Sequence, residues 1–117
     1  VPNADVIVTN PTHFSVALKY DQFGTRAPTL VAKGVDEMAM HIRTIANAHE
    51  VPIVASPMLA RAIYYSTEAE HEIPEKLFMA VAQVLAYVYQ LKAFKQGKGK
   101  RPKPLKSNLP IPPELRH

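Results

Sequence analysis

The stretch of sequence that contains the first two predicted strands is DVIVTNPTHFSVALKY, residues 5–20. Its two ends, Asp5–Thr9 and Phe14–Tyr20, are rich in β-branched and apolar residues and have the length of short strands. Between them lie Asn10, Pro11, Thr12 and His13. Asn followed by Pro is typical of the first two positions of a tight turn. The stretch therefore predicts a strand, a tight turn and a second strand.

The residues that follow predict a strand, a helix and another strand. The third strand is expected over Thr29–Lys33 and is broken by Gly34. A helix is expected from about Asp36 to His49, because apolar residues recur at spacings suited to one helix face, at Met38, Ile42, Ile45 and Ala46. Val51–Ala55 has the composition of a fourth strand. A strand, a helix and a strand in this order predict a right-handed unit whose two strands form a parallel pair.

Two helices are predicted in the second half of the chain. Ser56 and Pro57 are typical of a helix cap and a first helical position, so a short helix is expected from Met58 to about Ser66. A long helix is expected from Pro74 to about Lys95, with one apolar face formed by Leu77, Val81, Val84, Val88 and Leu91. Its apolar surface is wider than one core stripe, because it also includes Phe78, Ala82, Leu85 and Tyr89.

The composition is typical of one globular domain, since 47% of the 117 residues are hydrophobic and 21% are charged. The absence of cysteine excludes disulfides, Cys-ligated zinc and thiol catalysis. No apolar run is long enough to predict a membrane-spanning segment. We predict the α/β class: a single domain with a four-stranded mixed β-sheet flanked by about three to four helices. The methionines are expected in or near the core, at Met38, Met40, Met58 and Met79.

The positive charge is concentrated at the C-terminal end. The net charge of +4 divides into +5 for residues 96–117 and −1 for residues 1–95. The last segment also contains five of the eleven prolines. We therefore predict an ordered domain over residues 1–95 and a flexible, basic, proline-rich tail over residues 96–117. A nucleic-acid-binding module is the alternative from another functional class, and the lack of an aromatic platform beside the basic residues disfavours it.

The Asn10–Pro11 pair restricts asparagine chemistry to one direction. Proline has no N–H, so its nitrogen cannot attack the Asn10 side chain, which is the ordinary route to deamidation. The Asn10 side-chain nitrogen can instead attack its own backbone carbonyl carbon, close a succinimide ring and expel Pro11. A tight turn would hold these groups together, and donors would stabilise the oxyanion. Thr12 and His13 are the candidate assisting residues, His13 as acid or base and Thr12 through its hydroxyl.

Simpler interpretations apply to this and to the other motifs. On the dipeptide alone, an ordinary turn is the more common role of Asn-Pro. The remaining histidines lack the spacing of metal ligands; they are His41, His49, His71 and His117. The sequence also contains no glycine-rich phosphate loop and no dinucleotide fingerprint. We therefore predict no metal and no cofactor.

Four stretches of the sequence together resemble one protein family. They are ADVIVTNPTHFSVALKYD, which begins at Ala4, then APTLVAKGVDEMA, VPIVASPMLARAIY and IPEKLFMAVAQVLAYVYQLK. In order and spacing they resemble the cytoplasmic domain of the FlhB/YscU family, the switch proteins of flagellar and injectisome type III export. The resemblance covers roughly residues 1–95, and the NPTH motif between two strands is its most specific part.

This resemblance implies self-cleavage between Asn10 and Pro11, with both fragments remaining associated. The reaction would occur once per chain, so the domain would not be an enzyme that turns over other substrates. The resemblance also implies a location at the cytoplasmic face of the bacterial inner membrane, below a membrane-embedded part that this sequence lacks. The chain begins at Val1 and is expected to be a piece of a longer protein.

The partners implied by the resemblance are proteins of the export apparatus. The domain would switch export from rod and hook subunits to filament subunits, together with a hook-length control protein and other export-gate components. An injectisome switch protein of the YscU type is the alternative within the family. No nucleic-acid partner is implied.

The family's recognition patch for early export substrates is apolar. Counted from the NPTH motif, it corresponds here to Ala27, Pro28, Ala82 and Leu85. The last two belong to the extra apolar width of the predicted long helix. The alternative is that they are ordinary core residues, the commoner role of apolar residues on a helix, whereas exposed apolar patches often mark partner sites.

Overall fold

The computed structural model of the protein describes residues 1–10, 13–20, 27–97 and 109–115. Within these ranges, four strands and three α-helices follow one another, and two short 3₁₀ turns lie at Glu75–Leu77 and Pro113–Leu115. The strands and helices are, in chain order, β1 (Val6–Asn10), β2 (Phe14–Lys19), β3 (Thr29–Val35), α1 (Asp36–Ala48), β4 (Ile53–Ala55), α2 (Pro57–Ser66) and α3 (Phe78–Lys95).

The four strands form one mixed sheet in the order β3-β2-β1-β4. β1 pairs antiparallel with β2 and parallel with β4, and β2 pairs antiparallel with β3. β1 therefore lies inside the sheet with a partner on each side. Its residues Val6, Ile7 and Val8 are fully buried, as expected for a strand that is covered on both faces.

Helices cover both faces of the sheet. On one face, Ile42 and Ala46 of α1 pack against Ile7 and Ala17. On the other face, α2 and α3 pack against alternate residues of β1 and β2, because successive strand residues point to opposite faces. This larger core includes Val6, Val8, Val16, Leu18, Leu59, Ile63, Val81, Val84 and Val88. The predicted class, a single α/β domain with a four-stranded mixed sheet and flanking helices, is confirmed.

The predicted parallel pair of the third and fourth strands is wrong. β3 and β4 run parallel to each other but lie at opposite edges of the sheet, with β2 and β1 between them. The partner of β4 is β1, with Val8 opposite Val54. The physical reason is that the apolar run of β1 needs cover and hydrogen-bonding neighbours on both sides, so it takes the inner position.

The prediction that Gly34 breaks the third strand is also wrong, since β3 continues through it to Val35. Gly34 is buried opposite Ser15, and a side chain there would meet Met38. Met38 itself is 54% exposed, so the core face of α1 is formed by Ala39, Ile42 and Ala46 instead.

The expectation of core methionines holds only for one of the four. Met58 is partly buried and packs against the larger core. Met38, Met40 and Met79 are all more than half exposed, at 54%, 60% and 64%. Methionine was therefore a poor predictor of core positions in this chain.

The long helix begins later than predicted, because Pro74 is followed by a 3₁₀ turn and α3 starts at Phe78. Val81, Val84 and Val88 are fully buried, and Leu91 is half-buried. By length and composition alone, the segment Glu75–Lys95 would suffice to cross a membrane. About a third of its apolar window is buried, at 33%, and the buried residues include Val81, Val84 and Val88, which pack in the larger core.

Part of the C-terminal segment packs against the domain, although the sequence predicted no packed element beyond residue 96. Leu109 and Ile111 are 5% and 3% exposed and belong to the larger core. The ammonium of Lys76 donates a hydrogen bond to the Glu114 carboxylate at 2.6 Å. The apolar side chains between the prolines explain the difference, because they supply buried surface that a count of prolines and charges does not reveal. The predicted tail residues 98–108, 116 and 117 lie outside the described residues.

Candidate functional site

The Asn-Pro motif lies at the end of the sheet where β1 turns into β2. Asn10 is the last residue of β1 and faces Phe14, the first residue of β2. The backbone N–H of His13 donates a hydrogen bond to the carbonyl oxygen of Asn10 at 2.9 Å. This bond closes the four-residue turn predicted from the sequence. Pro11 and Thr12 lie outside the residues that the structure describes.

The same hydrogen bond has a chemical consequence. If the Asn10 side chain attacks the Asn10 carbonyl carbon, the carbonyl oxygen becomes the oxyanion, and the His13 N–H already points at it. A donor fixed on the reacting oxygen stabilises the charge that develops there. Because the strands on both sides are hydrogen-bonded, the donor is fixed by the fold and not by a flexible side chain.

His13 also contacts the beginning of α1. The backbone N–H of Asp36 donates to the carbonyl oxygen of His13 at 2.9 Å. The Nδ1 atom of His13 lies 3.6 Å from Oδ1 of Asp36, and both side chains are largely exposed. Asp36 thus links the turn to α1, and nothing in the sequence pattern singled out Asp36.

Aromatic rings lie directly after the turn. The Phe14 ring contacts the rings of Tyr64 and Tyr65 edge to face, with centroid distances of 5.1 and 5.8 Å. The ammonium of Lys33 lies 4.6 Å from the centre of the Tyr64 ring and donates a hydrogen bond to the Tyr64 carbonyl oxygen. These contacts fix the first residue of β2 against α2.

The four residues of the predicted recognition patch line one cleft of about 460 Å³. Ala27 and Pro28 form one wall just before β3, and Ala82 and Leu85 form the other on α3. Their burial differs, since Ala82 is exposed whereas Leu85 is only 5% exposed and belongs to the core. Aromatic and small side chains complete the lining, namely Tyr20, Phe78, Ala86 and Tyr89.

The cleft is uncharged at neutral pH. Burial raises the pKa of the Tyr89 phenol, and the nearby negative charge of Asp5 raises it further. The ring therefore stays protonated well above pH 7 and offers one hydrogen-bond donor at an otherwise apolar wall. Phe78 and Tyr89 were recognised from the sequence as part of the wide apolar helix surface. Tyr20 was missed because no spacing pattern connects it to the cleft, and Ala86 was missed although it follows Ala82 at the four-residue spacing of one helix face.

No group of three or more His, Asp or Glu side chains in the described part of the chain could hold a metal ion. The other histidines that the structure describes belong to other elements: His41 lies in α1, His49 directly follows α1, and the backbone of His71 is hydrogen-bonded to β3. Within these ranges the turn therefore has one titratable ring, that of His13.

A family model described as "FlhB HrpN YscU SpaS Family" matches residues 1–88. The chain is 52% identical to the flagellar biosynthetic protein FlhB of Salmonella typhimurium over 115 residues, which are 98% of this chain and 30% of that protein. It is 52% identical to FlhB of Bacillus subtilis over 92 residues, 79% of this chain and 26% of that protein. The chain thus spans about a third or less of these relatives.

Solved structures show the same likeness in three dimensions. The cytoplasmic domain of FlhB from Shewanella putrefaciens superimposes with a TM-score of 0.94 at 52% identity, covering 99% of this chain and 89% of that one. A mutated EscU C-terminal domain superimposes with a TM-score of 0.70 at 30% identity, covering 73% of this chain and 85% of that one.

Proposed function

Because the chain belongs to the FlhB HrpN YscU SpaS family, we propose that it is the self-cleaving cytoplasmic domain of a flagellar protein-export switch. It is expected to lie at the cytoplasmic face of the inner membrane, attached to a membrane-embedded part of the same protein. Its role is to change export from rod and hook subunits to filament subunits, with a hook-length control protein and other export-gate components as partners.

The flagellar assignment is favoured over an injectisome switch of the YscU type. Over the aligned residues, the chain is 52% identical to FlhB of Salmonella typhimurium and to FlhB of Bacillus subtilis, against 30% for the EscU C-terminal domain. The likeness to FlhB also extends through nearly the whole chain, whereas the likeness to EscU covers 73% of it.

The observation that supports self-cleavage best is the hydrogen bond from the His13 N–H to the Asn10 carbonyl oxygen. In the proposed reaction, a bond forms between the Asn10 side-chain nitrogen and the Asn10 carbonyl carbon, and the bond from that carbon to the Pro11 nitrogen breaks. One proton leaves the side-chain amide and one is delivered to the Pro11 nitrogen, so the total is unchanged. The His13 N–H stabilises the intermediate oxyanion, and the His13 imidazole carries the proton. Thr12 orients one of the partners through its hydroxyl.

Denaturing electrophoresis with intact-mass analysis tests this reaction. The wild-type chain should separate into residues 1–10 and residues 11–117 once it is unfolded, because folding holds the fragments together without a covalent link. Asn10→Ala should stay intact, because it removes the attacking nitrogen. Asn47→Ala is the matched control, since Asn47 is exposed on α1 and should not affect cleavage. A wild-type chain that stays intact after long incubation would refute the proposal.

We further propose that the cleft beside α3 binds early export substrates through an apolar segment. Ala82 is the residue to test, because it is exposed and lines the cleft. Ala82→Glu should weaken binding of a purified hook subunit at least tenfold, since it places a charge in an apolar site, and should leave the melting temperature nearly unchanged. Gln83→Glu is the control, because Gln83 is exposed on the same helix and does not line the cleft.

Leu85 requires a different substitution. Because its side chain is only 5% exposed, Leu85→Glu would bury a charge and unfold the domain, whatever the role of the cleft. Leu85→Met keeps the volume and the burial. Equal hook-subunit binding by wild type, Ala82→Glu and Leu85→Met would place substrate recognition elsewhere.

A further inference from the structure

Asp36 is joined to His13 by two contacts. Its backbone N–H donates to the His13 carbonyl oxygen at 2.9 Å, and its carboxylate lies 3.6 Å from the His13 Nδ1 atom. The first contact fixes the His13 backbone, whose own N–H is bonded to the Asn10 carbonyl oxygen. In the second contact, the Asp36 carboxylate lies beside Nδ1 of the His13 ring. Asp36 therefore contacts both the backbone and the ring of the residue that closes the turn.

The backbone of Asp36 supports a specific role for this position. Its φ of 48° lies in the left-handed region, which is unfavourable for residues other than glycine, asparagine and aspartate. The residue is the first of α1, yet no capping side-chain hydrogen bond is made at this helix start. Aspartate tolerates this conformation better than most residues, and here the conformation accompanies the hydrogen bond to the turn.

We propose that Asp36 is a positioning residue for His13 in self-cleavage. The negative carboxylate, 3.6 Å from Nδ1, favours the neutral imidazole tautomer whose proton is on Nδ1, which leaves the lone pair on Nε2, the ring nitrogen that does not face Asp36. Nε2 takes a proton from the Asn10 side-chain amide as its nitrogen bonds to the carbonyl carbon, and the ring then delivers that proton to the departing Pro11 nitrogen. The imidazole ends as it began. This inference rests on the proposed self-cleavage and adds the residue that selects the tautomer.

The expected effect is on rate and not on stability. An exposed ion pair of this kind contributes little to folding, so removing the carboxylate should leave the fold intact. General acid–base catalysis contributes about 100-fold or more to a rate. Losing the group that orients the base, while keeping the base, should therefore slow cleavage by about tenfold.

Asp36→Asn is the variant to compare with wild type, because asparagine also tolerates the left-handed backbone but has no charge. Cleavage of chains pulse-labelled during cell-free synthesis would be followed by electrophoresis. We expect Asp36→Asn to be about tenfold slower than wild type. In a His13→Ala background, Asp36→Asn should cause no further slowing, because the residue acts through the imidazole.

A second measurement does not depend on cleavage. In the Asn10→Ala chain, ¹⁵N NMR of the His13 ring should show the proton on Nδ1, and the additional change Asp36→Asn should shift it toward Nε2. Asp36→Asn cleaving at the wild-type rate, or slowing cleavage equally without His13, would overturn the inference while leaving the proposed function in place. Failure of the wild-type chain to cleave would refute the proposed function, and an unchanged ring tautomer would refute the positioning role separately.

Discussion

Gly34 lies where β3 passes next to the first turns of α1, and the available space admits no side chain. It is buried, and a Cβ atom at this position would overlap the Cβ and Cγ atoms of Met38 and approach its backbone carbonyl carbon to 3.1 Å. The flexible end of Met38 could move away, but its Cβ and backbone could not without shifting the helix. Glycine is therefore required here for close packing of a helix on a strand.

Gly34→Ala tests this requirement. We expect it to lower the free energy of unfolding by about 1–3 kcal/mol, because the added methyl group forces backbone shifts in a packed region. Met40→Ala is the control, since Met40 is exposed on the same helix and its loss should change stability by less than about 0.5 kcal/mol. Urea unfolding of both variants measures the difference, and equal midpoints would show that α1 adjusts freely.

The sequence predicted Asn10 and His13 as participants in the proposed cleavage, but it did not predict Asp36, which contacts His13. Asn10 and His13 could be found because the reaction depends on residue types that are neighbours in the chain. Asp36 could not be found, because it reaches His13 through a left-handed backbone and a helix start that only the folded chain brings to the turn. The same limit applies to Tyr20, which follows the last residue of β2 and comes to the cleft only in the folded chain.

At the scale of elements, periodicity located the helices and strands well, but it did not show which strands are neighbours in the sheet. Each predicted strand and helix exists, with ends displaced by a few residues. The pairing of β4 with β1 was missed, because adjacency in the chain favours the third strand as partner. The unbroken run Val6-Ile7-Val8 contained the missing information, since a strand apolar on both faces is typical of an inner position.

The attachment of the C-terminal segment should depend on pH. The hydrogen bond from Lys76 lowers the pKa of the Glu114 carboxyl, and a backbone hydrogen bond lowers it further. A group whose pKa falls on attachment stabilises the attached state above its ordinary pKa of about 4.3, and this stabilisation is lost as the pH falls through the lower value. Contact of Leu115 with the core should therefore weaken under acid conditions, while buried Leu109 and Ile111 remain attached.

Methyl NMR of Leu115 between about pH 6 and pH 3 would measure this dependence. Glu114→Gln is the matched control, because it keeps a hydrogen-bond acceptor for Lys76 but cannot titrate. Its Leu115 resonance should not change over the pH range. The same pH profile in wild type and Glu114→Gln would assign the change to another group.

At the scale of the whole molecule, the proposed cut lies beside the strand that holds the domain together. β1 has hydrogen-bonded partners on both sides, and Val6, Ile7 and Val8 are buried between the two cores. Cleavage after Asn10 would leave the whole of β1 on the N-terminal fragment. It would break one covalent bond and leave the strand pairing and the core contacts of β1 in place, so the cut domain can stay folded while its turn gains freedom.

Covalent separation should nevertheless be visible in thermal unfolding. When a cut domain unfolds, it releases two molecules, so dilution favours the unfolded state by mass action. Each tenfold dilution should lower the free energy of unfolding by about 1.4 kcal/mol, which corresponds to a decrease of about 6 °C in Tm for a domain of this size. The uncut Asn10→Ala chain unfolds as one molecule, so its Tm should not depend on concentration.

Circular dichroism over a hundredfold concentration range would compare the two proteins. A concentration-independent Tm in a sample proven to be cut would mean that residues 1–10 do not hold the domain together, contrary to the central position of β1.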